Sequence, residues 1–115
     1  MFGIGDADRN PLVEHFRAHG WVAVDAVPAG AAAALPGWVD EISALPDGAE
    51  GVLQHFEGTD AGPALARSEN FVPIHAGLRA LLGDGALVDV AGALLGEPAV
   101  LYKEKINYKL AGGEY

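Results

Sequence analysis

The chain has no cysteine among its 115 residues. That excludes a disulfide framework, a cysteine-ligated zinc site and a thiolate nucleophile. Basic residues are scarce: 7 Lys and Arg stand against 16 Asp and Glu, a formal net charge of -9. Phosphate backbones need a basic face, so this balance argues against nucleic acid as the main partner. No run approaches the roughly 20 apolar residues of a membrane span. The opening Met-Phe-Gly-Ile-Gly-Asp lacks a basic stretch followed by an apolar one, so no secretory signal is read. The expectation is a cytoplasmic protein with no membrane partner. Internal repeats and low-complexity linkers are also missing. Half of the residues are hydrophobic, and 16 are glycine and 7 proline. The length suits one domain, residues 1–115, which buries somewhat under ~70% of its unfolded surface.

The few basic residues are unevenly placed. Residues 1–102 hold 14 acids and four arginines, Arg9, Arg17, Arg67 and Arg79. All three lysines, Lys103, Lys105 and Lys109, fall within seven residues near the end. An acidic body that keeps its lysines together suggests a segment that meets an anion. A solvated strand edge, guarded by lysine against aggregation, accounts for the same residues.

Hydrophobic periodicity outlines the elements. Pro11–His19 has apolar residues at Leu12, Val13 and Phe16, with Gly20 as its stop, and reads as a helix. Trp21–Val27 reads as a short, largely buried strand. From Pro28 to Leu45 a helix is expected, with Leu35, Trp38, Val39, Ile42 and Leu45 on one side and a break or kink at Pro36-Gly37. Val52–Glu57 and Ala64–Phe71 read as two paired strands, with Gly58–Pro63 as a loop. Pro73–Leu82 and Ala86–Leu95 read as short helices around Gly83-Asp84-Gly85. Val100–Leu110 then alternates cleanly. One face carries Val100, Tyr102, Glu104, Ile106, Tyr108 and Leu110, and is mostly core-like. The other carries Leu101, Lys103, Lys105, Asn107 and Lys109, a ladder of donors with neighbours roughly 6–7 Å apart. A long half-buried strand so close to the end of the chain, with few strands to pair it, gives the expectation of a cut fold.

Two stretches carry a family resemblance: Ala-Arg-Ser-Glu-Asn-Phe-Val-Pro-Ile-His-Ala-Gly-Leu-Arg-Ala-Leu-Leu (66–82), and the helix end, Gly-Glu-Pro and Lys-Glu-Lys-Ile-Asn-Tyr-Lys-Leu with its Gly-Gly turn (93–113). With the opening His-Phe-Arg-Ala-His-Gly-Trp-Val-Ala-Val-Asp-Ala-Val (15–27), they resemble the N-terminal portion of phytanoyl-CoA hydroxylase-like proteins, the phytanoyl-CoA dioxygenase family. The likeness runs from about Phe16 to Gly113. It implies an α+β chain, with helices leading into the first strands of a double-stranded β-helix (jelly-roll, cupin-like) barrel, left incomplete. It implies an oxidoreductase using Fe(II) and 2-oxoglutarate, acting on a small molecule. The family's His-x-Asp, distal His and cosubstrate-clamping arginine follow the Gly-Gly turn and do not occur before Tyr115, so the resemblance implies that iron does not bind this chain and that it is inactive alone.

By position in the motif, Asn107 matches an asparagine that hydrogen-bonds 2-oxoglutarate, and pairing with nearby backbone is its alternative. The resemblance turns Lys103 and Lys105 toward the barrel interior, where a lysine meets an anionic substrate, the cosubstrate or an acidic residue, with Lys103 assigned to substrate and Lys105 to the cosubstrate, unless they reach solvent at the barrel mouth. It places Arg67 where related hydroxylases carry a basic cosubstrate contact, and a guanidinium suits a carboxylate. A salt bridge to Glu69 is the alternative for Arg67. His55-Phe56-Glu57 has the His-x-Glu form of a metal motif but lies upstream of the family's position. His15 and His19, four apart on a helix, lack a third ligand and read as a surface pair. Two other roles stay open: a non-catalytic module binding a small anion, and self-association through exposed strand edges.

Overall fold

In this computed structural model, residues 10–109 are described. They form four helices, α1 (Pro11–His19), α2 (Ala29–Ser43), α3 (Ala76–Leu82) and α4 (Ala86–Leu95). With them comes an antiparallel sheet of β1 (Leu53–Thr59), β2 (Gly62–Glu69) and β3 (Lys105–Asn107), in the order β1-β2-β3. The chain is α+β, as expected, and its sheet is open. No barrel closes among the described residues.

Local chemistry explains most of the boundaries. Asn10 caps α1, its side chain accepting from Leu12 N at 2.8 Å, and Pro11 occupies a first-turn position. Gly20 ends the helix at φ 79°, a conformation that favours glycine. At the start of α3, His75 Nδ1 accepts from Leu78 N at 3.1 Å while its Nε2 donates to Glu41 at 2.6 Å. One imidazole therefore caps α3 and ties it to α2.

Ile42, Val52, Phe71, Val72 and Leu78 form the main core, where α2 and α3 meet the inner face of the sheet. Leu35, Trp38, Leu45, Ile74, Leu82 and Ile106 pack around it. A second contact lies between α1 and α4, with Val13 fully buried. Behind the sheet runs a buried polar chain. Tyr108 OH hydrogen-bonds Ser68 Oγ at 2.8 Å, and Ser68 Oγ donates to Gln54 Oε1. Gln54 Nε2 then donates to the carbonyls of Ile42 and Leu45, at 2.8 and 3.1 Å. Gln54 thus ties the sheet to the end of α2, sharing the Ile42 carbonyl with Leu45 N and taking up the Leu45 carbonyl just past the helix.

Four expectations are corrected. Trp21–Val27 is not a strand: the ladder has no place beside it, and Trp21 is 61% exposed. α2 runs through Pro36-Gly37 unbroken, because the fixed φ of proline is itself helical and Trp38 and Ile42 anchor the turns that follow. The loop at 58–63 is shorter than expected. β1 and β2 continue to a tight turn at Asp60-Ala61, with Thr59 opposite Gly62. The strand expected over 100–110 pairs only at Lys105–Asn107. Val100 and Tyr102 are 88% and 97% exposed, so their alternation does not mark a core face. Leu110 lies outside the described residues.

Candidate functional site

The faces expected for the last strand are correct from Lys103 to Lys109. Glu104, Ile106 and Tyr108 turn inward and Lys103, Lys105, Asn107 and Lys109 are exposed. Glu104 is tolerated on the inner side because its carboxylate accepts from Val72 N at 3.0 Å. The outer face is where the proposed site residues meet.

Strand register does the gathering. Arg67 stands directly opposite His55 on β1 and Asn107 on β3, and Glu69 stands opposite Lys105. Three of the singled-out residues, Arg67, Lys105 and Asn107, therefore share one face, although 38 or more positions separate Arg67 from the other two. Lys103, just before β3, reaches the same cluster. Its Nζ lies 2.9 Å from Glu69 Oε1. A bulge adjoins the cluster: His55 pairs with Arg67 but Phe56 with Leu65, leaving Ala66 as the extra residue.

Glu69 is the centre of the arrangement. His55 Nε2 donates to its Oε2 at 2.7 Å, and Arg67 Nε lies 3.6 Å from the same oxygen. Three basic side chains from three segments thus surround one carboxylate that is only 10% exposed. The hydrogen bond from Lys103 is the main cause that holds the Glu69 pKa down at about 2, with help from His55 and the charges of Lys103 and Arg67, against a desolvation that raises it. The salt bridge to Glu69 weighed for Arg67 is present, but long. Arg67 Nε is buried and has no hydrogen-bond acceptor. Lys105 makes no ion pair with any described residue. Arg67 and Lys105 accordingly keep donor capacity for an external acceptor.

Sequence reasoning missed His55 as a member of this face and weighed Glu69 only as a salt-bridge partner of Arg67. The available signal was the alternation of 64–71, which sets Arg67 and Glu69 on one side. What was lacking was the register that brings His55 beside them. Glu57 is not drawn with His55 into a metal group. Among the described residues, no three of His, Asp and Glu converge as a metal site. His15 and His19 stack on each other with centroids 4.4 Å apart, and His15 meets Trp21 edge-on at 4.6 Å. No described helix is long and apolar enough to cross a membrane.

What the face can do chemically is bind an anion. No family model matches the chain, and no solved structure does. Two curated relatives do. Methylphosphonate hydroxylase of Gimesia maris is 57% identical over 76 residues, covering 66% of this chain and 29% of that protein. The 2-aminoethylphosphonate dioxygenase of an uncultured bacterium is 36% identical over 78 residues, covering 66% of this chain and 30% of that protein. The chain spans less than a third of the length of each, and the similarity takes in 66% of its own length.

Proposed function

We propose that the chain forms the anion-binding side of an Fe(II)/2-oxoglutarate-dependent dioxygenase of the phytanoyl-CoA dioxygenase kind, one that hydroxylates a small phosphonate. The observation that carries this reading is the convergence of Arg67, Lys105 and Asn107 on one sheet face, with Lys103 beside them. Both the cosubstrate and a phosphonate are small anions. The names of the two relatives supply the reaction and the substrate class.

Within this reading Arg67 and Lys105 supply charge to a 2-oxoglutarate carboxylate. Asn107 donates an amide hydrogen without adding charge. The fit rests on the Arg67 Nε–H, a buried donor that lacks an acceptor. Lys103 faces the phosphonate. Iron is a different matter. The described residues offer no three-ligand group that fits it, so none of them is assigned to the metal and no step is derived through it.

A second reading, a binding module without catalysis, draws on the same face, because every group there binds anions. Both readings require the 115-residue chain to bind 2-oxoglutarate without metal. Amide-detected NMR titration tests this. Saturable shifts on β2 and β3, lost in Arg67→Ala and weakened in Lys105→Ala, are the expected result. Shifts spread evenly over all basic residues, or none, would overturn the assignment. On either reading the 115-residue chain supplied with iron should form no succinate, because no three described residues make a group that holds the metal.

A further inference from the structure

The cluster around Glu69 has a consequence that anion binding alone does not include. Glu69 is held from two sides. His55 and Arg67 share its Oε2, and both come from the ordered β1–β2 pair. Lys103 alone engages Oε1, from a segment outside the ladder. Its side chain is 59% exposed against 10% for Glu69. The carboxylate is therefore the fixed partner and the ammonium the movable one. A lysine stem has four rotatable bonds and can swing away while Glu69 keeps His55 and Arg67.

We propose that Lys103 and Glu69 form a latch, in which an incoming phosphonate dianion draws Lys103 off Glu69, so that Glu69 sets by competition how tightly the face holds its substrate. The inference rests on the reading of this face as an oxygenase anion site. Its chemistry is simple. A phosphonate carries three oxygens and up to two negative charges, so it offers Lys103 more than one carboxylate oxygen does. The same exchange costs the Glu69 contact, and that cost is subtracted from affinity. Glu69 is a specificity-determining residue here, not a catalytic one. It penalises weakly charged ligands that cannot repay the lost contact.

Methylphosphonate titrations followed by backbone NMR test the latch on the 115-residue chain without metal. Glu69→Gln keeps the shape and the ability to accept from His55 but removes the charge. It should tighten methylphosphonate about two- to five-fold, the range expected for a partly exposed ion pair. Lys103→Ala combined with Glu69→Gln should abolish that gain. Glu14→Gln on α1, which packs against α4, makes the same change in net charge and should have no effect. An unchanged or weaker affinity in Glu69→Gln overturns the latch. So does a gain that survives Lys103→Ala or appears in Glu14→Gln, since general charge would then explain it. 2-Oxoglutarate, titrated in parallel, separates the two levels of argument. If it binds while Glu69→Gln leaves methylphosphonate unchanged, the latch alone fails. If neither ligand binds any variant, the latch and the anion-site reading fail together.

Discussion

Glu69 shows how one side chain can be decisive through its neighbours. A carboxylate this enclosed would be destabilising without partners, and three basic groups offset its desolvation. The pH consequence has a definite sign. The folded pKa of about 2 lies below the ordinary 4.5. Glu69 therefore contributes stability that is fully present above pH 4.5 and is lost as pH falls toward 2. Thermal melts between pH 7 and pH 2 should show a steeper acid loss in the wild type than in Glu69→Gln, and parallel curves would refute the paired carboxylate. Ser68 is decisive in another way. It is fully buried and joins Tyr108 to Gln54. Ser68→Ala strands both partners and should cost about 1–3 kcal/mol in urea unfolding. Tyr108→Phe removes only the terminal hydroxyl and should cost less, about 1 kcal/mol. Reversal of that order would mean that the chain of hydrogen bonds does not run through Ser68.

At the scale of elements, the sequence is most legible where a local cause sets the boundary. Asn10, Pro11 and Gly20 mark α1 without reference to the rest of the chain, and Gly85 and Gly96 bracket α4. The pairing of the two middle strands was legible from their alternation and closeness. What failed was decided by distant partners. Trp21–Val27 has strand composition but no neighbouring strand, and propensity cannot supply one. Of the clean alternation over 100–110, only the part lying beside β2 became a ladder. The same logic applies to the site. The lysine and asparagine ladder was legible, whereas the placing of His55 and Glu69 depended on register. α2 gives a test of local against tertiary control. Pro36 has no N–H for the Ala32 carbonyl, yet the helix continues because its later turns are packed. Pro36→Ala should restore that bond and raise stability by about 1–3 kcal/mol. A lower melting temperature would show that the proline fits its site better than the helix needs.

At the scale of the whole molecule, the fold leaves apolar surface uncovered. Leu53, Phe56, Leu95, Val100, Leu101 and Tyr102 are all exposed, and the two edges of the sheet carry no further strand among the described residues. A shallow apolar hollow between α4 and 99–101, lined by Leu82, Leu87, Val88 and Ala91, continues this surface. Exposed apolar residues beside an open edge favour association, because burial gains roughly 25 cal/mol per Å² and an edge strand offers unpaired backbone groups. The net charge of -9 opposes it by repulsion. These two terms respond oppositely to salt. Screening weakens the repulsion and leaves the apolar gain intact. Sedimentation of the 115-residue chain should therefore show concentration-dependent association that strengthens from low to moderate ionic strength. Val100→Lys with Tyr102→Lys should weaken it, although both changes lower the net negative charge and would favour association if repulsion alone were in control. A double variant that associates more strongly than the wild type would assign control to charge and remove the apolar strip from the account.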